Sequence, residues 1–119
     1  MSRSFQLYLS DILLACAKVL RYTNGMSFEQ FVADDRTFDA VVRNLQIIGE
    51  AVKTFLKRFA IALLKLNGGK IAGLRDILAH TYFQVENEII WDVIQTKLQS
   101  LQKKIQDLLE AEAGDRNPN

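Results

Sequence analysis

Residues 34–59, DDRTFDAVVRNLQIIGEAVKTFLKRF, carry the longest periodic pattern in the chain. Large apolar side chains recur there every seven residues, and a second series alternates with the first; the two series are Phe38, Leu45, Val52 and Phe59, and Val41, Ile48 and Phe55. This spacing predicts one long α-helix with a continuous apolar stripe that packs against other helices. The helix begins near Asp34 or Asp35, whose carboxylates suit a helix start. The pattern continues to about Leu66, where the turn-forming sequence of residues 67–69 follows.

The segment before this long helix has a helical pattern of its own. An apolar stripe extends from Ser4 to about Tyr22, and Gly25 can adopt the left-handed conformation that ends a helix. A short helical turn follows, in which Ser27 and Gln30 are placed to bond each other's backbone groups. The sequence therefore predicts a first helix and then a short capped turn.

Two further helices are predicted after the long one. A shorter helix occupies about residues 71–82, and a last helix extends over about residues 85–112. We therefore expect an all-α protein, an up-and-down antiparallel four-helix bundle with an extra short helical turn. Residues 1–113 form its one domain, and residues 114–119 form a frayed tail.

Composition indicates a globular protein without a membrane span. Of 119 residues, 49% are apolar and 24% are charged, and no apolar run approaches the roughly 20 residues that a bilayer requires. The first residues lack the apolar core of a signal peptide, so we expect a cytoplasmic protein. A formal net charge of +1 gives no general attraction to nucleic acid, and any RNA contact must use a local basic patch.

The chain has one cysteine and one histidine, too few soft ligands for a structural zinc site. Cys16 lies within the apolar pattern of the first helix, so we expect a buried, unreactive thiol. The histidine belongs to residues 75–82, RDILAHTY, with Arg75 five positions before His80 and Tyr82 two positions after it. Imidazole transfers protons near neutral pH, and guanidinium binds phosphate, so this group favours metal-free chemistry on a phosphodiester.

The segment containing Arg75, His80 and Tyr82 resembles the signature of HEPN-domain ribonucleases and, more closely, of HepT-type toxins. The likeness covers about four-fifths of the chain and includes residues 8–13, residues 43–51 and the approach to Trp91. Such toxins are partnered with a minimal nucleotidyltransferase antitoxin. The resemblance implies a HEPN-like bundle and a toxin–antitoxin role of the type VII kind.

What the resemblance implies about chemistry is metal-independent cleavage of RNA, either tRNA or mRNA, with no cofactor. His80 is expected to act as general base or acid and Arg75 to stabilise charge on the phosphate. Residues five apart on a helix diverge by about 140°, so one compact site is easier to build from two motifs in a homodimer. Asp76, four positions before His80, is expected to orient it. The resemblance also implies that the antitoxin adds AMP to Tyr82 and silences the toxin.

One segment departs from the family pattern. Residues 54–70 are apolar, basic and free of proline, where HepT-like chains have a loop containing proline and tryptophan. Either natural divergence or a local change of reading frame would explain this difference.

Other residues have two interpretations each. Arg43, Asn44 and Glu50 belong to the family-like segment, but a structural salt-bridge network explains them more simply. Trp91 is expected to pack rather than to stack on a base. The basic residues form either a phosphate track or a solvated face; they are Lys53, Lys57, Arg58, Lys65 and Lys70. The alternative to a ribonuclease is a non-catalytic helical scaffold or nucleotide-binding partner of the nucleotidyltransferase, or an interaction protein without a ligand.

Overall fold

A computed structural model describes the backbone of residues 3–59 and 86–116 and the side chains of residues 4–59 and 86–111. The regular elements are α1 (Arg3–Thr23), α2 (Phe28–Ala33), α3 (Asp35–Arg58), α4 (Asn87–Asp92), a π-helical turn (Val93–Lys97) and α5 (Leu98–Arg116). These described residues contain helices and connecting turns and no strand. The prediction of an all-α bundle is confirmed.

The first helix ends where the sequence predicts. The Thr23 hydroxyl donates to the Val19 carbonyl (2.9 Å), and the Met26 N–H donates to the Thr23 carbonyl (3.0 Å). Gly25 between them has a φ of 78°, in the left-handed region that residues with a Cβ rarely adopt. The chain therefore turns at Gly25 and enters α2.

The short helix α2 begins with the predicted pair of caps. The Gln30 N–H donates to Ser27 Oγ (3.1 Å), while the Ser27 N–H donates to Gln30 Oε1 (2.9 Å). Each side chain thus satisfies a backbone donor that the first turn of a helix leaves without a partner. The ring of Phe31, in the same short helix, is fully buried.

The long helix α3 begins as predicted and ends earlier than predicted. Asp34 caps its start by accepting hydrogen bonds from the Thr37 N–H (3.1 Å) and the Thr37 hydroxyl (3.0 Å). The helix ends at Arg58, not near Leu66, because Phe59 leaves the helical conformation (φ −112°, ψ 28°). The Phe59 N–H still donates to the Phe55 carbonyl (3.0 Å). Residues 60–85 lie outside the described part of the chain.

Aromatic contacts show that α1 and α3 are antiparallel. Phe5, in the first turns of α1, contacts Phe55 and Phe59 at the end of α3, with ring centroids 5.0 Å and 5.1 Å apart. The heptad pattern of the long helix is confirmed as the packing surface, because its central members are buried while Phe38 and Phe59 at its ends are partly buried. The buried members are Val41, Leu45, Ile48, Val52 and Phe55.

The last helix is continuous from Asn87 to Arg116 and contains one π-helical turn. Within that turn the Leu98 N–H donates to the Val93 carbonyl, five residues back. The helix extends past its predicted end near residue 112. Its predicted apolar stripe is buried throughout: Ile90, Ile94, Leu98, Leu101, Ile105 and Leu108. Helix α1 packs against both α3 and α5 and so lies between them.

Within the described residues, no helix combines the length and the apolar character that crossing a bilayer requires.

Candidate functional site

The predicted catalytic group does not fall within the described structure. Arg75, Asp76, His80 and Tyr82 all lie in residues 60–85, outside the described ranges 3–59 and 86–116. Their mutual geometry is therefore untested, and their assignment stays a prediction. The described residues that share the family resemblance do allow a test of their separate roles.

Asn44 has a different environment from its charged neighbours in the family-like segment of α3. Arg43 and Glu50 are exposed, whereas Asn44 is buried. The Asn44 side-chain amide donates to the Ala40 carbonyl, one turn earlier (2.8 Å). The Asn44 amide thus finds a hydrogen-bond partner within its own helix, as a buried polar group requires. The salt-bridge interpretation therefore does not describe Asn44, which bonds to the backbone of α3 instead.

Trp91 packs as predicted. Its ring centroid lies 5.2 Å from that of Phe31 and 6.2 Å from that of Phe28. Phe31 also contacts Phe38 at 5.4 Å. The indole therefore joins α4 to α2 and, through Phe31, to the start of α3. This aromatic group therefore connects α2, α3 and α4.

A basic group ends α3 at the opposite end of the bundle. Lys53, Lys57 and Arg58 are exposed, and the other two predicted basic residues lie outside the described ranges. Arg58 Nη1 donates to the Tyr8 hydroxyl (3.4 Å), and the guanidinium carbon lies 6.0 Å from the Tyr8 ring centroid and 5.9 Å from that of Phe59. Cation–π contacts of this length orient a guanidinium while leaving it in water. These side chains can bind a phosphate. Their positive charges equally well stabilise the negative C-terminal end of α3.

Cys16 is buried and inert, as predicted. Its side chain has no exposed area, and burial raises the pKa of its thiol to about 12. A thiol reacts as its thiolate, which burial in apolar surroundings disfavours. Cys16 is therefore not a nucleophile in the folded protein near neutral pH.

An open groove lies beside the junction of α2 and α3. Its lining residues are Met26, Gln30, Ala33, Asp34, Asp35 and Arg36. The Asp34 carboxylate is already committed to Thr37, whose N–H and hydroxyl hold the pKa of Asp34 below its ordinary value. A carboxylate held ionised in this way is a helix cap and a poor proton donor.

Metal ligation finds no support in the described part of the chain. Across residues 3–59 and 86–116, no three His, Cys, Asp or Glu side chains converge as metal ligands would.

Sequence reasoning missed two side-chain contacts, one made by Tyr8 and one made by Asn44. It assigned no partner to Tyr8, although an aromatic residue beside the α1 stripe is well placed to receive Arg58 at the antiparallel end of α3. It also grouped Asn44 with charged residues. The available signal was position, because Asn44 follows Val41 by three residues and precedes Ile48 by four, which places it on the buried stripe.

Comparison with known proteins gives one family match. A family model described as "Ribonuclease HepT-like" matches residues 12–108 of this chain. No solved structure matches the chain.

Curated relatives are similar over nearly their whole length. A protein of Caldanaerobacter subterraneus subsp. tengcongensis, whose name describes it as a putative RNase, is 42% identical over 105 residues, covering 88% of this chain and 94% of the relative. A protein of Methanocaldococcus jannaschii with the same description is 37% identical over 111 residues, covering 92% of each chain. The "Probable ribonuclease HepT" of Thermococcus cleftensis is 35% identical over 108 residues, covering 91% of this chain and 98% of the relative.

Proposed function

Because this chain belongs to the HepT-like ribonuclease family, we propose that it cleaves RNA as the toxin of a HEPN-type toxin–antitoxin pair. The observation that carries this proposal is the family match over residues 12–108, which contains both Arg75 and His80. The described framework supports it, since the family-like segments lie on packed helices of an all-α bundle.

The reaction is an internal displacement at phosphorus. The 2′-oxygen of the RNA forms a bond to the adjacent phosphorus as its proton leaves to a base, and the bond from phosphorus to the 5′-oxygen breaks as that oxygen takes a proton. The products are a 2′,3′-cyclic phosphate and a 5′-hydroxyl. No step requires an oxidant or a second substrate.

His80 is assigned the proton transfers in this reaction. It is the one histidine of the chain, and histidine is the side chain whose ordinary pKa lies near neutral pH. The one thiol, Cys16, is buried with a pKa raised to about 12 and cannot compete for the role. Arg75 stabilises the charge that develops on the phosphoryl oxygens. Asp76, one helical turn before His80, orients the imidazole.

The site is composite and forms in a symmetric homodimer. Arg75 and His80 of one helix diverge by about 140°, so facing motifs from two chains bring these groups together more readily than one motif does. A sedimentation mass equal to one chain at micromolar concentration would contradict this arrangement.

The deciding experiment uses purified protein and total RNA in EDTA. His80→Ala and Arg75→Ala should each lower the cleavage rate by about 10²–10⁴-fold, because each removes a group that acts in the transition state. Lys103→Ala is the matched control, since Lys103 is exposed on α5 and should leave the rate unchanged. Cleavage that stops in EDTA and returns with a divalent ion would refute the metal-free mechanism. No cleavage under any condition would favour the alternative, a non-catalytic partner of the nucleotidyltransferase.

Regulation in this proposal acts through Tyr82. A nucleotidyltransferase partner joins the Tyr82 oxygen to the α-phosphorus of ATP, and pyrophosphate leaves. The added phosphate repels RNA and its bulk obstructs the cleft. With the partner and ATP, the parent protein should gain mass in AMP units and lose activity, and Tyr82→Phe should stay active and unmodified. Tyr22→Phe is the control and should be modified as the parent is. Full silencing of the Tyr82→Phe variant would show inhibition by complex formation alone.

A further inference from the structure

Positive charge is unevenly distributed along this chain. Residues 51–75 contain six of the fifteen basic residues and none of the fourteen acidic ones, so this segment carries a charge of +6 and the rest of the chain carries −5. The net charge of +1 therefore conceals a strongly basic segment. A run of one sign of charge produces a local field that attracts the opposite sign. The structure describes residues 51–59 of this segment, which contain the end of α3.

Three side chains at the end of α3 place this charge on the surface. Lys53, Lys57 and Arg58 are exposed, and they are called the α3 basic end. Glu50 lies one helical turn before Lys53 and offsets one of the three charges. Lys57 and Arg58 have no acidic residue within one helical turn on either side along the sequence. These two residues therefore account for most of the positive charge of the α3 basic end.

The negative end of α3 does not balance this positive charge. The carbonyl groups at a helix C-terminus amount to about half an elementary negative charge. Lys57 and Arg58 together exceed that amount, and one basic side chain in the last turn is enough to stabilise a helix end. The surplus charge remains available to an anion in solution.

Contacts with two aromatic rings orient the Arg58 guanidinium. Arg58 Nη1 donates to the Tyr8 hydroxyl (3.4 Å), and the guanidinium carbon lies 6.0 Å from the Tyr8 ring centroid and 5.9 Å from that of Phe59. This hydrogen bond uses one of the five N–H donors of a guanidinium, and a bidentate contact with phosphate needs two. A side chain that is already oriented loses less conformational freedom when it binds a ligand.

We propose that the α3 basic end binds the phosphate backbone of the RNA substrate outside the phosphodiester that is cleaved, with Lys57 and Arg58 each contacting one phosphate. This assignment rests on the proposed ribonuclease function, which supplies RNA as the polyanion. Both residues belong to residues 54–70, which depart from the family pattern, so the contact is a feature of this chain. Phosphate contacts carry no sequence information, so this surface increases affinity for RNA without selecting bases.

Binding of a short single-stranded 2′-O-methyl oligonucleotide tests the surface without cleavage, because the blocked 2′-oxygen cannot attack phosphorus. By fluorescence anisotropy, Lys57→Ala/Arg58→Ala should bind about tenfold more weakly than the parent at low salt. The slope of log affinity against log salt concentration should become shallower by about 1.4, since each phosphate contact with a single strand contributes about 0.7. Unchanged affinity and slope would overturn the proposal. So would binding of phosphatidylserine vesicles without binding of the oligonucleotide, which would assign this surface to a membrane.

Lys103→Ala/Lys104→Ala is the matched control, because it removes the same two positive charges from α5. Lys103 Nζ lies 3.9 Å from the Asp107 carboxylate, and Lys104 Nζ donates to the Ser100 hydroxyl (3.1 Å). This variant should keep its affinity within about twofold of the parent. An equal loss in both double variants would show a response to net charge alone and would overturn the site. Equal helix content by circular dichroism checks that both variants fold.

Tyr8→Leu tests the orientation of Arg58 without a change of charge. Loss of the ring and its hydroxyl should weaken oligonucleotide binding about threefold, because the guanidinium is no longer held. The chain offers a second pair of this kind as the control, since the Arg21 guanidinium lies over the Tyr22 ring at 5.4 Å. Tyr22→Leu should leave the affinity unchanged. Equal affinities for the parent and both tyrosine variants would overturn the role of Tyr8.

Cleavage kinetics separate this surface from the reacting group. Lys57→Ala/Arg58→Ala should raise KM about tenfold and leave kcat within about twofold of the parent, since the two residues hold RNA away from the reacting phosphate. A fall in kcat at unchanged KM would place them in the reaction itself and overturn the proposal. A parent protein that binds the oligonucleotide through these residues but cleaves no RNA would support the surface and refute the ribonuclease function.

Discussion

Burial gives Cys16 a chemistry that its residue type does not have in water. The thiol is fully buried in α1, and desolvation of the thiolate raises its pKa from 9.0 to about 12. Between pH 9.0 and about pH 12 the Cys16 thiol therefore keeps its proton in the folded protein. In the unfolded chain the thiol loses that proton above pH 9.0. Because the unfolded state is then favoured, stability falls as the pH rises through this window.

Replacement of Cys16 by alanine should remove this pH dependence. Above pH 9.0 the free energy of unfolding of the parent should fall by up to about 1.4 kcal/mol per pH unit more than that of Cys16→Ala. Urea unfolding of both proteins on either side of pH 9.0 measures the difference. Parallel pH profiles would contradict the raised pKa, as would rapid labelling of native Cys16 by a maleimide.

Caps are the residue-scale features that the sequence predicts best. The Ser27–Gln30 pair and the Asp34 cap act across three residues, so their partners are visible in the printed order. The Tyr8–Arg58 contact joins residues 50 positions apart, and no local rule identifies it. This contact depends on how α1 and α3 are aligned along their lengths. The apolar stripes alone are compatible with alignments that differ by several residues.

Ser27→Ala should lower the free energy of unfolding by about 1 kcal/mol, because it leaves the Gln30 N–H without its partner. Ser100→Ala is the control, since Ser100 is an exposed serine within α5 whose hydroxyl accepts from the exposed Lys104 ammonium, with an expected change below about 0.5 kcal/mol. Thermal or urea unfolding of the three proteins gives the comparison. Equal losses for both variants would show that the cap contributes nothing beyond a surface hydroxyl.

At the scale of elements, helix faces were predicted and a helix irregularity was not. The stripes of α1, α3 and α5 follow from spacing, because burial selects residues three and four apart. The π-helical turn at Val93–Lys97 adds one residue to a turn and leaves the same stripe buried on both sides. Since Ile90, Ile94 and Leu98 also suit a regular helix, the sequence offers no sign of it.

Deletion of Gln95 should be tolerated for this reason. Removing one exposed residue from a π-helical turn restores regular α-helical bonding and keeps the flanking stripes in register, so stability should change by less than about 1 kcal/mol. The same deletion at Gln46, exposed in regular α3, rotates the rest of that helix by about 100°. Ile48, Val52 and Phe55 then leave the core, and the loss should exceed about 4 kcal/mol.

Thermal unfolding of the two deletion variants beside the parent measures this contrast. A loss for the Gln95 deletion as large as that for the Gln46 deletion would show that the π-helical turn is required for packing.

For the whole molecule, the bundle was predicted more fully than the site. Antiparallel helices, their order and their buried faces follow from local periodicity and short connections. The long helix was predicted to continue past Arg58, because apolar residues go on recurring after that point, whereas Phe59 turns out of the helix and remains in the aromatic contacts with Phe5 and Phe55. The site depends on residues 75–82 and on assembly, and neither a single chain's periodicity nor the described ranges fix these.

The packing of Trp91 against Phe28 and Phe31 gives the protein a fluorescent probe of the contact between α4 and α2. The chain has a single tryptophan, so all of its indole fluorescence comes from the contact between α4 and α2. If the bundle unfolds as one cooperative unit, the emission shift should coincide with the loss of helical circular dichroism at every urea concentration. An emission shift at lower urea would show that this end of the bundle opens first. The spectrum of the unmodified protein thus reports where unfolding begins, without a label.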